Sequence, residues 1–161
     1  MVYVVSNLHG NYTKFKQLLK TIAFKETDLM YVLGDIVDYG DESMELIGDL
    51  SVRYNVYPIV GEHDYMALKM LSGFEDMLKS GETPDKKFIA KMTEWVQDGG
   101  QQTLDSFRTL DDEMKEGIID YLTDMTIYEE AEVNGKKYLL VHAGISDAHA
   151  EEFLNQKLAQ I

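Results

Sequence analysis

Three short apolar runs constrain the fold more than any other feature: "VYVVS" at 2–6, "LMYVLG" at 29–34 and "NVYPIVG" at 55–61. Each is about the length of a strand, rich in Val, Ile and Tyr, and ends at a polar or glycine-containing stretch. Between the first two, Phe15, Leu18, Leu19, Ile22 and Ala23 recur at the spacing of a helix with one apolar face. Between the next two, Ser43–Tyr54 carries Met44, Ile47, Leu50 and Val52 less regularly. Strand–helix–strand–helix–strand predicts buried strands in a parallel sheet with helices packed over it, an α/β fold.

A helical middle follows over roughly 64–124, punctuated by Pro84 and by Gly99–Gly100. Thr109, with Asp112 three residues later, predicts the cap of a helix carrying Met114, Ile118, Leu122 and Met125. The segments "IYEEAEV" and "KKYLLVHAG" flank Asn134–Gly135, a strong signal for an antiparallel hairpin. The later "SDAHAEE", which contains His149, predicts the start of a terminal helix.

With 161 residues the chain is long enough for one domain, 1–161, with a proper core. No stretch approaches the length of a membrane span, and Met1–Ser6 lacks the basic start of a signal peptide. The absence of cysteine removes disulfide and thiolate chemistry. A cytoplasmic protein is the expectation. The net charge of −14 argues against nucleic acid as a partner, because phosphate contacts need clustered Lys and Arg. Acid is concentrated over 109–132, where Lys115 is the lone basic residue. That stretch is expected to be a solvated helix face; its sharper alternative is a docking surface for a basic protein partner.

The polar residues gather where strands end. Asn7 and His9 follow the first strand, Asp35 and Asp38 the second, Glu62, His63 and Asp64 the third, and His142 ends the late strand. In an open α/β sheet the carboxyl ends of the strands face one crevice, so these loops should converge. Oxygen and imidazole donors without thiolate suit Mn, Fe or Zn, with Mg a further candidate, and such ions activate oxygens in phosphoryl displacement.

The motifs "NLHG", "GDIVDYG", "GEHD" and "HAG" run in this order over residues 7–144. In that order they resemble the calcineurin-like metallophosphoesterases, and most nearly the bacterial and phage members of the serine/threonine protein phosphatase family. The stretch "WVQDGGQQTLDSF" and the "NGKKYLLVHAG" hairpin are similar to the same subgroup. The resemblance implies a two-sheet sandwich, with a mainly parallel sheet plus the antiparallel hairpin. It also implies a phosphoester hydrolase in which a metal-bridging hydroxide attacks phosphorus without a covalent intermediate. Residue by residue, it implies that His9 binds the first metal, Asp35 bridges both and His142 binds the second. It further implies that His63 protonates the leaving oxygen while Asp38 orients its ring.

Four departures qualify what is carried over. Asn7 stands where the family has an aspartate on the first metal, and Glu62 where it has an asparagine on the second. An amide oxygen is a weaker donor than a carboxylate. One dominant ion held by Asp35, Glu62 and His142 is therefore expected, with a weak first site. Tyr39 replaces the arginine of the substrate-binding "DRG", and a phenol lacks the charged fork that grips phosphate. The closing Gly-His motif of the family is not found, so the domain is expected to be incomplete at its C-terminal end. The implied function is a metal-dependent phosphomonoesterase of reduced activity, acting on a phosphoprotein or a small phosphate ester. The alternative is a pseudoenzyme that keeps the fold to bind a protein partner.

Overall fold

A computed structural model describes residues 1–144, and the segment around His149 lies outside them. The three apolar runs form β1 (Val2–Val5), β2 (Leu29–Leu33) and β3 (Val56–Ile59). They make one parallel sheet in the order β1-β2-β3, with Tyr3 opposite Met30 and Val32 opposite Pro58. The connecting helices are α1 (Tyr12–Thr21) and α2 (Ser43–Ser51). The hairpin forms as β4 (Tyr128–Val133) and β5 (Lys136–Val141), turning at Asn134 and Gly135, both of positive φ. It reaches the parallel sheet through a bridge between Ile59 and Thr126, and Val60 N–H donates to the Thr126 carbonyl at 2.8 Å.

The helical middle divides into α3 (Glu62–Ser80), α4 (Lys86–Trp95), α5 (Gln101–Arg108) and α6 (Asp112–Asp124). A π-helical turn over Val96–Gly100 joins α4 to α5, and Gly99 takes a φ of 94° there. The cap of α6 differs from expectation. Asp111, not Thr109, accepts the Met114 N–H at 2.8 Å. Thr109 is spent on the end of α5, where its hydroxyl donates to the Ser106 carbonyl.

The core lies between the helices and one face of the sheet. Met30, Val32 and Val56 pack there with Phe15, Leu46, Ile47, Leu71, Trp95, Phe107 and Leu122. Apolar side chains fill this layer because removing each from water contributes about 1.5–3 kcal/mol. Glu75 and Lys115 form an ion pair at 3.1 Å beneath it, so the basic residue of the acidic stretch points inward. Not all three strands are buried on both sides. Val2, Val4, Leu29 and Tyr57 keep between 37% and 52% exposure on the face away from the helices. The reason is position: β1 is an edge strand, and among the described residues the helices cover the opposite face. Val52 is likewise exposed, because α2 ends at Ser51 and its apolar stripe closes at Leu50. Among the described residues no helix is long and apolar enough to cross a membrane.

Candidate active site

The loops after β1 and β2 are zipped together by backbone bonds. Asn7, His9 and Gly10 donate N–H to the carbonyls of Gly34, Asp35 and Ile36 at 3.0, 2.9 and 2.7 Å. Five of the seven non-glycine residues of positive φ among the described residues lie here: Asn7, His9, Asp35, Asp38 and Tyr39. Such backbone costs about 1–3 kcal/mol per residue and persists only where its surroundings enforce it. Gly34, at a φ of 72°, is required on steric grounds, since an added Cβ would stand 2.6 Å from the Gly61 backbone and from His142 Nδ1.

One buried carboxylate enforces the β2 loop. Asp64, 1% exposed in the first turn of α3, accepts N–H from Asp35, Ile36 and Gly61 at 2.8, 2.8 and 2.9 Å. Val37 N–H completes the set at 3.3 Å. Burial pushes the Asp64 pKa up, against the pull of these donors. The same clamp presents the Asp35 carboxylate, which accepts the His63 N–H at 3.2 Å and is 7% exposed.

His63 and Asp38 form the expected pair, with Nδ1 of His63 2.9 Å from Asp38 Oδ2. Asp38 is fully buried and also accepts from Trp95 Nε1 at 2.9 Å and from the Thr103 hydroxyl at 2.8 Å. Burial raises its pKa, while the bonds from His63, Thr103 and Trp95 pull it back. For His63, burial acts downward, but the bond to Asp38 and the fields of Asp38, Asp35 and Asp98 prevail, so its pKa is raised. A histidine that holds its proton near neutral pH, with Nδ1 tied to a carboxylate, presents Nε2–H as a donor.

His9 and His142 are set differently. Nδ1 of His9 lies 3.1 Å from the Val37 carbonyl, and Nδ1 of His142 lies 2.7 Å from the Leu33 carbonyl. A carbonyl only accepts, so each Nδ1 carries a proton, and Nε2 is the ring nitrogen left to ligate. That is the tautomer in which histidines ligate metals. His142 Nε2 already stands 3.5 Å from Asp35 Oδ2. The donor chemistry thus fits a divalent cation at His9, Asp35 and His142. Among the described residues, however, no three His, Asp or Glu side chains converge closely enough to enclose an ion.

The rim carries the other expected residues at its margins. Asn7 and Glu62 are exposed. Tyr39, 51% exposed, stands edge-on to the rings of His9 and His63 at centroid separations of 4.9 and 5.1 Å. Its hydroxyl donates to Asp98 at 2.9 Å, a bond that raises the phenol pKa together with burial. Between His63 and the π-helical turn opens a cavity of about 200 Å³ lined by Glu62, His63, Met66, Glu94, Trp95 and Asp98.

Sequence reasoning assigned no role to Asp64, Trp95 or Thr103. The signals were present: Asp64 follows His63 directly, and the other two lie within "WVQDGGQQTLDSF". Their roles are contacts across 28, 57 and 65 residues, which spacing alone does not encode.

Comparison with known proteins matches this arrangement to one family, described as calcineurin-like phosphoesterase, over residues 1–160. The chain is 28% identical over 147 residues to a symmetrical bis(5'-nucleosyl)-tetraphosphatase of Buchnera aphidicola, covering 90% of this chain and 45% of that protein. It is also 28% identical over 147 residues to serine/threonine-protein phosphatase 2 of Salmonella typhimurium, covering 91% and 59% respectively. A solved metallophosphoesterase from Sphaerobacter thermophilus superposes on 80% of the chain, and on 42% of its own, with a TM-score of 0.48 at 19% identity. The chain therefore spans about half the length of these relatives. With the family match running through every loop that carries the rim, this chain belongs to the calcineurin-like phosphoesterases.

Proposed function

We propose that the chain carries the metal-dependent centre of a phosphomonoesterase, resembling a serine/threonine protein phosphatase and turning over slowly. The observation that carries this reading is the His63–Asp38 pair at 2.9 Å, anchored by Trp95 and Thr103 beside two histidines whose Nδ1 atoms are tied to carbonyls. Asp35 and His142 would hold a divalent cation, with Glu62 or His9 turning inward to complete its shell. A bound cation supplies Lewis-acid polarisation of a phosphoryl oxygen and an activated water. The chain's own contribution is to place Nε2–H of His63 where a departing oxygen needs a proton and to hold the ring in that orientation through Asp38. Tyr39 offers a phenol in place of a charged fork, which weakens the grip on phosphate and accounts for low turnover.

A phosphatase-fold protein that binds a partner without hydrolysis is the second reading. It is favoured by the Tyr39 hydroxyl, which is engaged by Asp98 and not by the rim. Hydrolysis of a chromogenic phosphate ester separates the two. Slow release that requires Mn and stops on chelation is the expected result; no release in saturating Mn would favour the partner-binding protein.

A further inference from the structure

We propose that the cavity beside His63 receives the leaving group of the ester and selects one that is positively charged. Its occupant is a phosphoserine or phosphothreonine flanked by Lys or Arg, in preference to a dinucleoside polyphosphate. The inference rests on the phosphoesterase reading and names its substrate class.

Position comes first. His63 lines the cavity directly, so a group that takes a proton from its ring departs beside this space. Size comes second. About 200 Å³ is below the roughly 300–1,000 Å³ of pockets that enclose drug-sized ligands, and it suits one amino-acid side chain better than a nucleoside.

Charge decides the class. Three of the six lining residues are carboxylates, Glu62, Glu94 and Asp98, and none is Lys or Arg. Four other acids among the described residues pair with Lys or Arg: Asp49 with Arg53, Glu75 with Lys115, Glu116 with Lys79 and Asp105 with Arg108. The cavity acids have no such cation, and Asp98 is met by the neutral Tyr39 hydroxyl. Each exposed pair with an incoming cation contributes about 0.2–1 kcal/mol, so Glu94 and Asp98, which the metal does not claim, together favour a basic peptide by up to about tenfold. Met66 offers an apolar wall for the methylene stem of a Lys or Arg whose head reaches the carboxylates. A chain of four phosphates would meet three like charges instead, at a rim where tyrosine stands in place of an arginine.

The test is fluorescence anisotropy with two labelled phosphothreonine peptides, one flanked by Arg and one by Glu, at physiological salt without added Mn. The Arg peptide should bind more tightly, by up to about tenfold. The double variant Glu94→Gln, Asp98→Asn should bring the ratio near one, whereas neutralising Asp112 and Glu113 on α6 should leave it. That second variant separates the cavity from the overall charge of −14. Equal affinities, or a ratio that follows α6 and ignores the cavity, would overturn the inference. Mn-dependent turnover of a chromogenic ester in the same preparation reports on the underlying reading. Its persistence with a ratio of one removes only the cavity's role; its absence removes the leaving-group assignment as well.

Discussion

Asp64→Ala should lower the free energy of unfolding by about 4 kcal/mol or more, the largest loss expected from any single truncation at this site. The carboxylate accepts four backbone N–H groups, from Asp35, Ile36, Val37 and Gly61, and is almost wholly shielded from water. Hydrogen bonds to a charged group contribute about 1.5–3 kcal/mol each, and every donor left unpaired in the interior costs about 1–3. Even with strong non-additivity, the sum is a large part of the roughly 5–15 kcal/mol that holds a domain together. Urea denaturation followed by circular dichroism gives the number. Asp64→Asn keeps one accepting oxygen and should lose less. A midpoint for Asp64→Ala within error of the parent would show that the β2 loop does not depend on this clamp.

His63→Asn should lower turnover of phosphate esters by about 10²–10⁴-fold, with little change in KM. The asparagine can still approach Asp38, but it cannot deliver a proton to a departing oxygen. The loss should depend on the leaving group. An alkoxide such as that of phosphoserine needs the proton more than a nitrophenolate does, so the peptide substrate should suffer more than the chromogenic one. Equal, small losses on both would make His63 a packing residue against Tyr39 and His9, to which its ring is already apposed.

Much of this site was legible in the sequence because its residues sit at strand ends, and a parallel sheet brings strand ends to one rim. The hairpin at Asn134–Gly135 follows from a local motif, and the pairing of His63 with Asp38, 25 residues apart, was implied by the family resemblance. What the chain did not disclose depends on distant contacts. Asp38 is anchored by Trp95 and Thr103, and Asp64 reaches back to the loop after β2. Exposure was hidden for the same reason. β1 is as apolar as β2, yet Val4 remains 52% exposed because its burial depends on what lies across from it, not on its own composition. The cap of α6 shows the converse case: Thr109, the expected cap, is taken up by the end of α5, and Asp111 serves in its place.

The metal centre is the central claim, and calorimetric titration with Mn tests it without reference to turnover. With the carboxylate moved from position 7 to position 62, one ion per chain should dominate. Asp35→Asn and His142→Ala should each weaken it at least about tenfold, and Asn7→Asp should bring in a second ion. Two equivalent tight sites in the parent would show that the Asn7 amide serves as well as a carboxylate. No binding heat in the parent, or an isotherm untouched by Asp35→Asn and His142→Ala, would contradict the placement of the ion on this rim.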